Sequence, residues 1–91
     1  MSLELINIII AGDIKNSLKL IESGKYNLGK VDKYGMTALM YAAAYKKMKP
    51  VALKLNETGK SKSEHVDKLG HNALYYAKKN KMTKVVKLLL L

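Results

Sequence analysis

Apolar and polar positions along this chain recur with the period of helices lying against a core. Leu39, Ala42 and Ala43 stand at i, i+3 and i+4, and Leu74 with Ala77 repeats the spacing. Val51, Leu53 and Leu55 mark a second, short helix. Pro50 is tolerable only in its first turn, where a missing N–H costs nothing. Thr37 and Asn72 precede the longer runs, and their side-chain oxygens suit them to cap the free N–H groups of a first turn. Gly24 after Glu22-Ser23 and Gly59 after Glu57-Thr58 read as helix stops at positive φ. Asp32-Lys33-Tyr34-Gly35 and Asp67-Lys68-Leu69-Gly70 are turn sequences, with Asp and Gly at the ends of four-residue turns. Each unit thus runs turn, helix, tight connection, helix, glycine, extended loop. A last helix begins near Thr83. Val85, Leu88 and Leu89 share its packing face, whereas Val86 and Leu90 fall on a side that no later unit covers.

The pattern is a repeat. Val31 to Ala42 lies over Val66 to Ala77 at an offset of 35 residues, with eight of twelve positions identical. Leu20-Ile21-Glu22-Ser23-Gly24-Lys25 aligns with Leu55-Asn56-Glu57-Thr58-Gly59-Lys60 at the same offset. The chain is read as one domain, 1–91, of three helix-loop-helix units at about 1–30, 31–65 and 66–91, the outer two incomplete. Ala42, Ala43 and Ala77 let neighbouring first helices approach closely. A single unit cannot bury its apolar face alone, so each needs a neighbour.

At Asp32-Lys-Tyr-Gly-Met-Thr-Ala-Leu-Met-Tyr-Ala-Ala43 the sequence resembles the ankyrin repeat, whose signature is Asp-x-x-Gly-x-Thr-(Pro/Ala)-Leu-x-x-Ala-Ala. The resemblance covers nearly the whole chain. In the first unit, Gly12-Asp13-Ile14 looks like the turn between the two helices. It implies an all-α ankyrin-repeat solenoid of about three helix-loop-helix repeats with short hairpin turns. More narrowly, Val51 to Lys60 and His65 to Gly70 resemble the lysine-rich ankyrin arrays of giant DNA viruses. The chain also departs from the family. Its period exceeds the usual ~33, which implies one extra residue in the hairpin loop and another near Tyr45 to Lys47. Ala38 and Ala73 replace a proline, Met40 and Tyr75 a histidine, and Lys46 and Lys81 the glycine between the helices. Tyr41 and Tyr76 stand where the family has a core leucine, and they are read as structural.

Composition alters this picture mainly through charge. Seventeen lysines and no arginine face seven carboxylates, for a net charge of +10. Such a surplus favours acidic partners, nucleic acid or anionic surfaces. The missing Arg, however, removes the planar fork that reads guanine and phosphate in a bidentate way. No cysteine is present, which excludes disulfides and thiolate chemistry and points to an intracellular, cytoplasmic setting, the host cytoplasm if the chain is viral. Met1 to Ile10 is apolar but lacks the charged start and cleavage site of a signal peptide. No stretch approaches the ~20 apolar residues that cross a bilayer, so no membrane insertion is expected. His65 and His71 lie in loop and turn with no third firm ligand, the carboxylates are scattered, and the glycines punctuate repeats rather than cradle phosphate. An enzyme is not expected, nor a metal or cofactor.

The leading expectation is a non-enzymatic protein–protein interaction module. By resemblance, hairpin tips and first helices line a concave surface. The family's variable contact positions map to Lys33, Tyr34, Met36, Ala44 and Tyr45 in the second unit, and to Lys68, Leu69, His71, Lys79 and Asn80 in the third. Apolar anchors among lysines suit a protein partner with an acidic edge. Tyr75 is balanced between core and contact. The runner-up is an electrostatic binder of nucleic acid or an anionic surface, through Lys46, Lys47, Lys78, Lys79 and Lys81. A third reading is self-association, as a homodimer or as a fragment of a longer array, through Val86, Leu90 and Leu91.

Overall fold

Three of the helices begin where a side chain closes their first turn. In the computed structural model, which describes residues 3–91, Thr37 Oγ1 accepts from the Met40 amide at 3.2 Å and Asn72 Oδ1 from the Tyr75 amide at 2.9 Å. Asp13 Oδ1 does the same for Asn16 at 3.0 Å, a cap the sequence pattern did not single out. These caps open α3 (Ala38–Ala44), α5 (Ala73–Lys79) and α2 (Ile14–Glu22). The remaining helices are α1 (Glu4–Ile10), α4 (Lys49–Thr58) and α6 (Thr83–Leu89), and a short 3₁₀ turn occupies Lys46–Met48. Met1 and Ser2, which the sequence reading assigns to the first unit, lie outside the described residues.

Among the described residues six helices form three pairs, α1–α2, α3–α4 and α5–α6. First helices pack in one row, α1 on α3 on α5, and second helices in another, α2 on α4 on α6. This is the all-α stack expected from the repeat. Among the described residues no strand is present. Ala42, Ala43, Ala52 and Ala77 are fully buried, and their small side chains set the close approach between helices. Around them Ile9, Leu39, Met48, Val51, Leu55 and Val85 are sealed from water. Each such large side chain contributes roughly 1.5–3 kcal/mol on burial.

One insertion lies where the longer period implies it, near Tyr45 to Lys47, and two departures from the expected pattern have local causes. The connection between α3 and α4 carries one more residue than that between α5 and α6, and the chain absorbs it in the 3₁₀ turn. Lys81 takes the left-handed conformation of an inter-helix glycine, φ 55°, as Gly12 does in the first unit at φ 80°. Lys46 does not, because the 3₁₀ turn has replaced that geometry. At the carboxyl end, Val86 was placed on the uncovered side of the last helix. It packs instead, half-buried, against the core beside Leu89. The reason is that α6 touches both α5 and α4, so its contact sector is wider than that of a helix with one neighbour.

Candidate functional site

The two hairpins are built alike around an aspartate. The Asp32 amide donates to the Met36 carbonyl at 3.0 Å, while its Oδ1 accepts from the amides of Tyr34 and Met36. Asp67 repeats every element of this: its amide reaches the His71 carbonyl at 2.8 Å, and its Oδ1 takes the amides of Leu69 and His71. The second carboxylate oxygen of each accepts from a tyrosine hydroxyl on the following helix, Tyr41 for Asp32 and Tyr76 for Asp67. Gly35 and Gly70, at φ 77° and 84°, let the chain turn back. A further bond, Lys68 amide to Tyr34 carbonyl at 3.1 Å, ties one hairpin to the next.

Burial and these bonds shift the titration of Tyr41, Tyr76 and Asp67. Burial raises the Tyr76 hydroxyl to about 12, helped by its bond to Asp67. Tyr41 moves up for the same two reasons. For Asp67, burial works upward but is outweighed by the donors from Tyr76, His71 and Leu69, so the carboxyl ends below its ordinary value. Each hairpin is thus pinned to its helix by an aspartate that accepts from a tyrosine hydroxyl.

The pinned hairpins hold apolar groups out to solvent. Leu69 is 78% exposed and Tyr34 56%, with Lys33 and Lys68 beside them, also exposed. Lys33 Nζ stands 5.2 Å from the Tyr34 ring centroid, within reach of a cation–π attraction. In the third unit His71 stacks on Tyr75 at 3.7 Å with the rings 8° apart, and Lys79 Nζ lies 5.9 Å from the same ring. Tyr75 meets Tyr76 edge to face at 5.2 Å. Tyr45, at the end of α3, is exposed, and Ala44 is half-buried.

Not all residues singled out from sequence project freely. Met36 packs against the core. The Asn80 side-chain amide donates to the Ala43 carbonyl at 2.9 Å and to the Tyr76 carbonyl at 3.1 Å, stitching α5 to α3. Tyr75 and Ile10 belong to the exposed set; the sequence pattern leaves the first balanced between core and contact and does not single out the second. Tyr75 has a visible signal, since Tyr75 and Lys79 stand four residues apart on α5 and so share a helix edge. Ile10 has none, because it ends an apolar run that reads as core throughout. Leu90 and Leu91 are exposed at the carboxyl end.

Beside Ile10 lies a hollow of about 360 Å³. Leu3, Ile6, Asn7 and Ile10 form one wall, and Asp32, Lys33, Tyr34 and Tyr41 of the second unit form the other. The connections between helices are strongly basic, with Lys46, Lys47, Lys78, Lys79 and Lys81 all exposed. Lys47 lies across the first unit's turn, where a Cβ on Gly12 would come within 2.7 Å of its side chain. The arrangement offers apolar and aromatic contact, cation–π pairs and unpaired ammonium groups. Among the described residues no three His, Asp or Glu side chains gather in one place. No helix there is long and apolar enough to cross a membrane.

A family model described as ankyrin repeats in three copies matches residues 4–91. Two solved structures are similar over 94% of this chain, each 27% identical in sequence with a TM-score of 0.79. One is the ankyrin repeat protein EF0377; the other is an ankyrin repeat domain from Acinetobacter baumannii AYE. The chain spans 45% of the length of each. No curated protein sequence matches it significantly. These comparisons lend no support to the narrower likeness to giant-virus arrays.

Proposed function

The chain belongs to the ankyrin-repeat family, a scaffold that in general mediates protein–protein interaction without catalysis, and from that premise we propose that it binds a protein partner with an acidic edge along its hairpins and first helices. One observation carries this reading. The hairpin tips present Leu69 and Tyr34 to solvent on turns that their aspartates hold rigid, and lysines flank both. Large apolar groups displayed on a fixed frame are suited to be interface anchors, because little ordering is required of them on binding.

A selection of binding peptides with the whole chain as bait tests it. Tyr34→Ala combined with Leu69→Ala abolishes binding and leaves the helical signal intact. Unchanged binding by that double variant would remove the hairpin tips from the interface.

The exposed lysines at the helix connections favour a second reading, electrostatic binding of nucleic acid or an anionic surface. Counterion release gives that mode a steep fall of affinity with salt, whereas apolar anchoring gives a shallow one. Changing Lys46, Lys47, Lys79 and Lys81 to Gln separates the two: on the leading reading it slows association without abolishing binding. Exposed Leu90 and Leu91 supply a third, self-association through the carboxyl end. Sedimentation of wild type against Leu90→Lys decides it.

A further inference from the structure

We propose that the hollow between α1 and the second unit's hairpin is an anchor subsite of this binding face, and that it takes one long apolar side chain from a partner segment with carboxylates beside it. This deepens the protein-binding reading above and rests on it.

The walls of the hollow come first. Ile10, 46% exposed, faces solvent from α1, and Tyr34 does so from the hairpin, while Ile6 and Tyr41 are buried beneath them. Two large apolar groups are thus held open around a common space. The space is preformed. Asp32 accepts from the Tyr34 and Met36 amides and from the Tyr41 hydroxyl, so the hairpin wall cannot swing without breaking three bonds. Binding there costs little ordering. The size is informative as well: about 360 Å³ lies at the small end of the ~300–1,000 Å³ range of ligand sites. A protruding side chain fits that volume better than a cofactor does.

Charge settles the neighbourhood of that side chain. Six of the seven carboxylates are already engaged within the chain. Asp32 and Asp67 hold the hairpins, Asp13 caps α2, Glu4 accepts from Tyr26, and Glu22 and Glu57 pair with Lys54. Lys54 is the one lysine in a salt bridge among the described residues. Among the described residues the other ammonium groups, Lys33 at the rim of the hollow among them, make no salt bridge, so they are open to carboxylates from outside. Two other hollows suit an anchor less. One of about 450 Å³ is lined by Gly59, Lys62, Ser63, Glu64 and His65, with no aliphatic or aromatic hydrocarbon side chain such as Leu, Ile or Tyr among them. Another of about 340 Å³ lies on the second-helix row with Glu57 at its edge.

Random peptides selected against the whole chain, then synthesised singly and titrated, test the proposal. The enriched peptides carry an apolar residue flanked by Asp or Glu. Changing that residue to Ala weakens binding by roughly tenfold or more, the scale of one buried side chain. Ile10→Lys weakens binding likewise while helical content and melting temperature hold. Tyr34→Ala does the same from the opposite wall, which guards against a folding defect in either variant alone. Amide resonances of Asn7, Ile10 and Lys33 shift on titration. Peptides that ignore both variants and shift only resonances around Leu69 and Tyr75 would overturn the subsite and leave the protein-binding reading standing. If no peptide is enriched even at low salt, that reading itself fails and the subsite falls with it.

Discussion

Replacing Tyr76 with phenylalanine removes one donor from Asp67 and leaves the carboxylate held by two backbone amides. A hydrogen bond to a charged acceptor contributes roughly 1.5–3 kcal/mol, so the variant loses about that much at neutral pH. The pH profile identifies the cause. The folded Tyr76 hydroxyl titrates at about 12 against an ordinary 10.0. Its stabilisation is therefore complete below pH 10.0 and lost as the pH climbs through 12. Asp67 runs the opposite way: its folded value is depressed from 3.8, so its contribution is complete above that pH and lost on further acidification. Urea unfolding across pH shows both limbs in the wild type, and Tyr76→Phe makes the alkaline one shallower, leaving the share of Tyr41. An alkaline limb of unchanged slope would mean that the bond contributes nothing. Lys81 makes a second case at this scale. A non-glycine residue at its left-handed φ of 55° costs about 1–2 kcal/mol, of which glycine's greater chain freedom returns 0.5–1. Lys81→Gly accordingly stabilises the chain by about 0.5–1 kcal/mol, measurable as a rise in the urea midpoint.

Helices and hairpins were the most legible part of the chain. Thr37 and Asn72 cap where a hydroxyl and an amide oxygen should, and Gly59 ends α4 at φ 69°, because these are choices of local geometry that a few residues decide. Gly59→Val is therefore destabilising through backbone strain alone, since a Cβ there meets nothing within 4 Å. Ala42→Leu is a packing change instead. Ala42 is wholly buried in the row of first helices, and overpacking it costs roughly 1–3 kcal/mol. If both variants melt with the wild type, the register of the stack is wrong. What escaped the sequence depends on several elements meeting. The Asp–Tyr bonds close over nine positions and need the hairpin to fold back first. Tyr41 and Tyr76 could be read as core-facing rings, but not as donors to a particular carboxylate. Val86 was misplaced because helical period assigns a direction without saying how many neighbours wait there. The Ile10 hollow involves two units and belongs to neither alone.

At the scale of the whole molecule, charge and burial are distributed unevenly. Nearly every carboxylate is committed inside the fold, while Lys54 alone of the lysines is in a salt bridge among the described residues, so the chain's excess charge is available to solvent and to partners. Burial is graded along the stack. Six residues of α3 are buried between α1 and α5, two in α5, and Val85 alone in α6. A stack in which each unit contacts only its neighbours does not open all at once. Amide hydrogens should exchange slowest in α3, faster in α5 and fastest in α6, on a ladder of opening free energies descending toward the carboxyl end. Uniform protection across the three would contradict the gradient. Leu69, His71 and Tyr75 sit on one of the lower rungs, so half of the binding face exists only while that end is zipped. A partner bridging both hairpins must close it, and binding then appears as slowed exchange in α6, a helix the partner never touches.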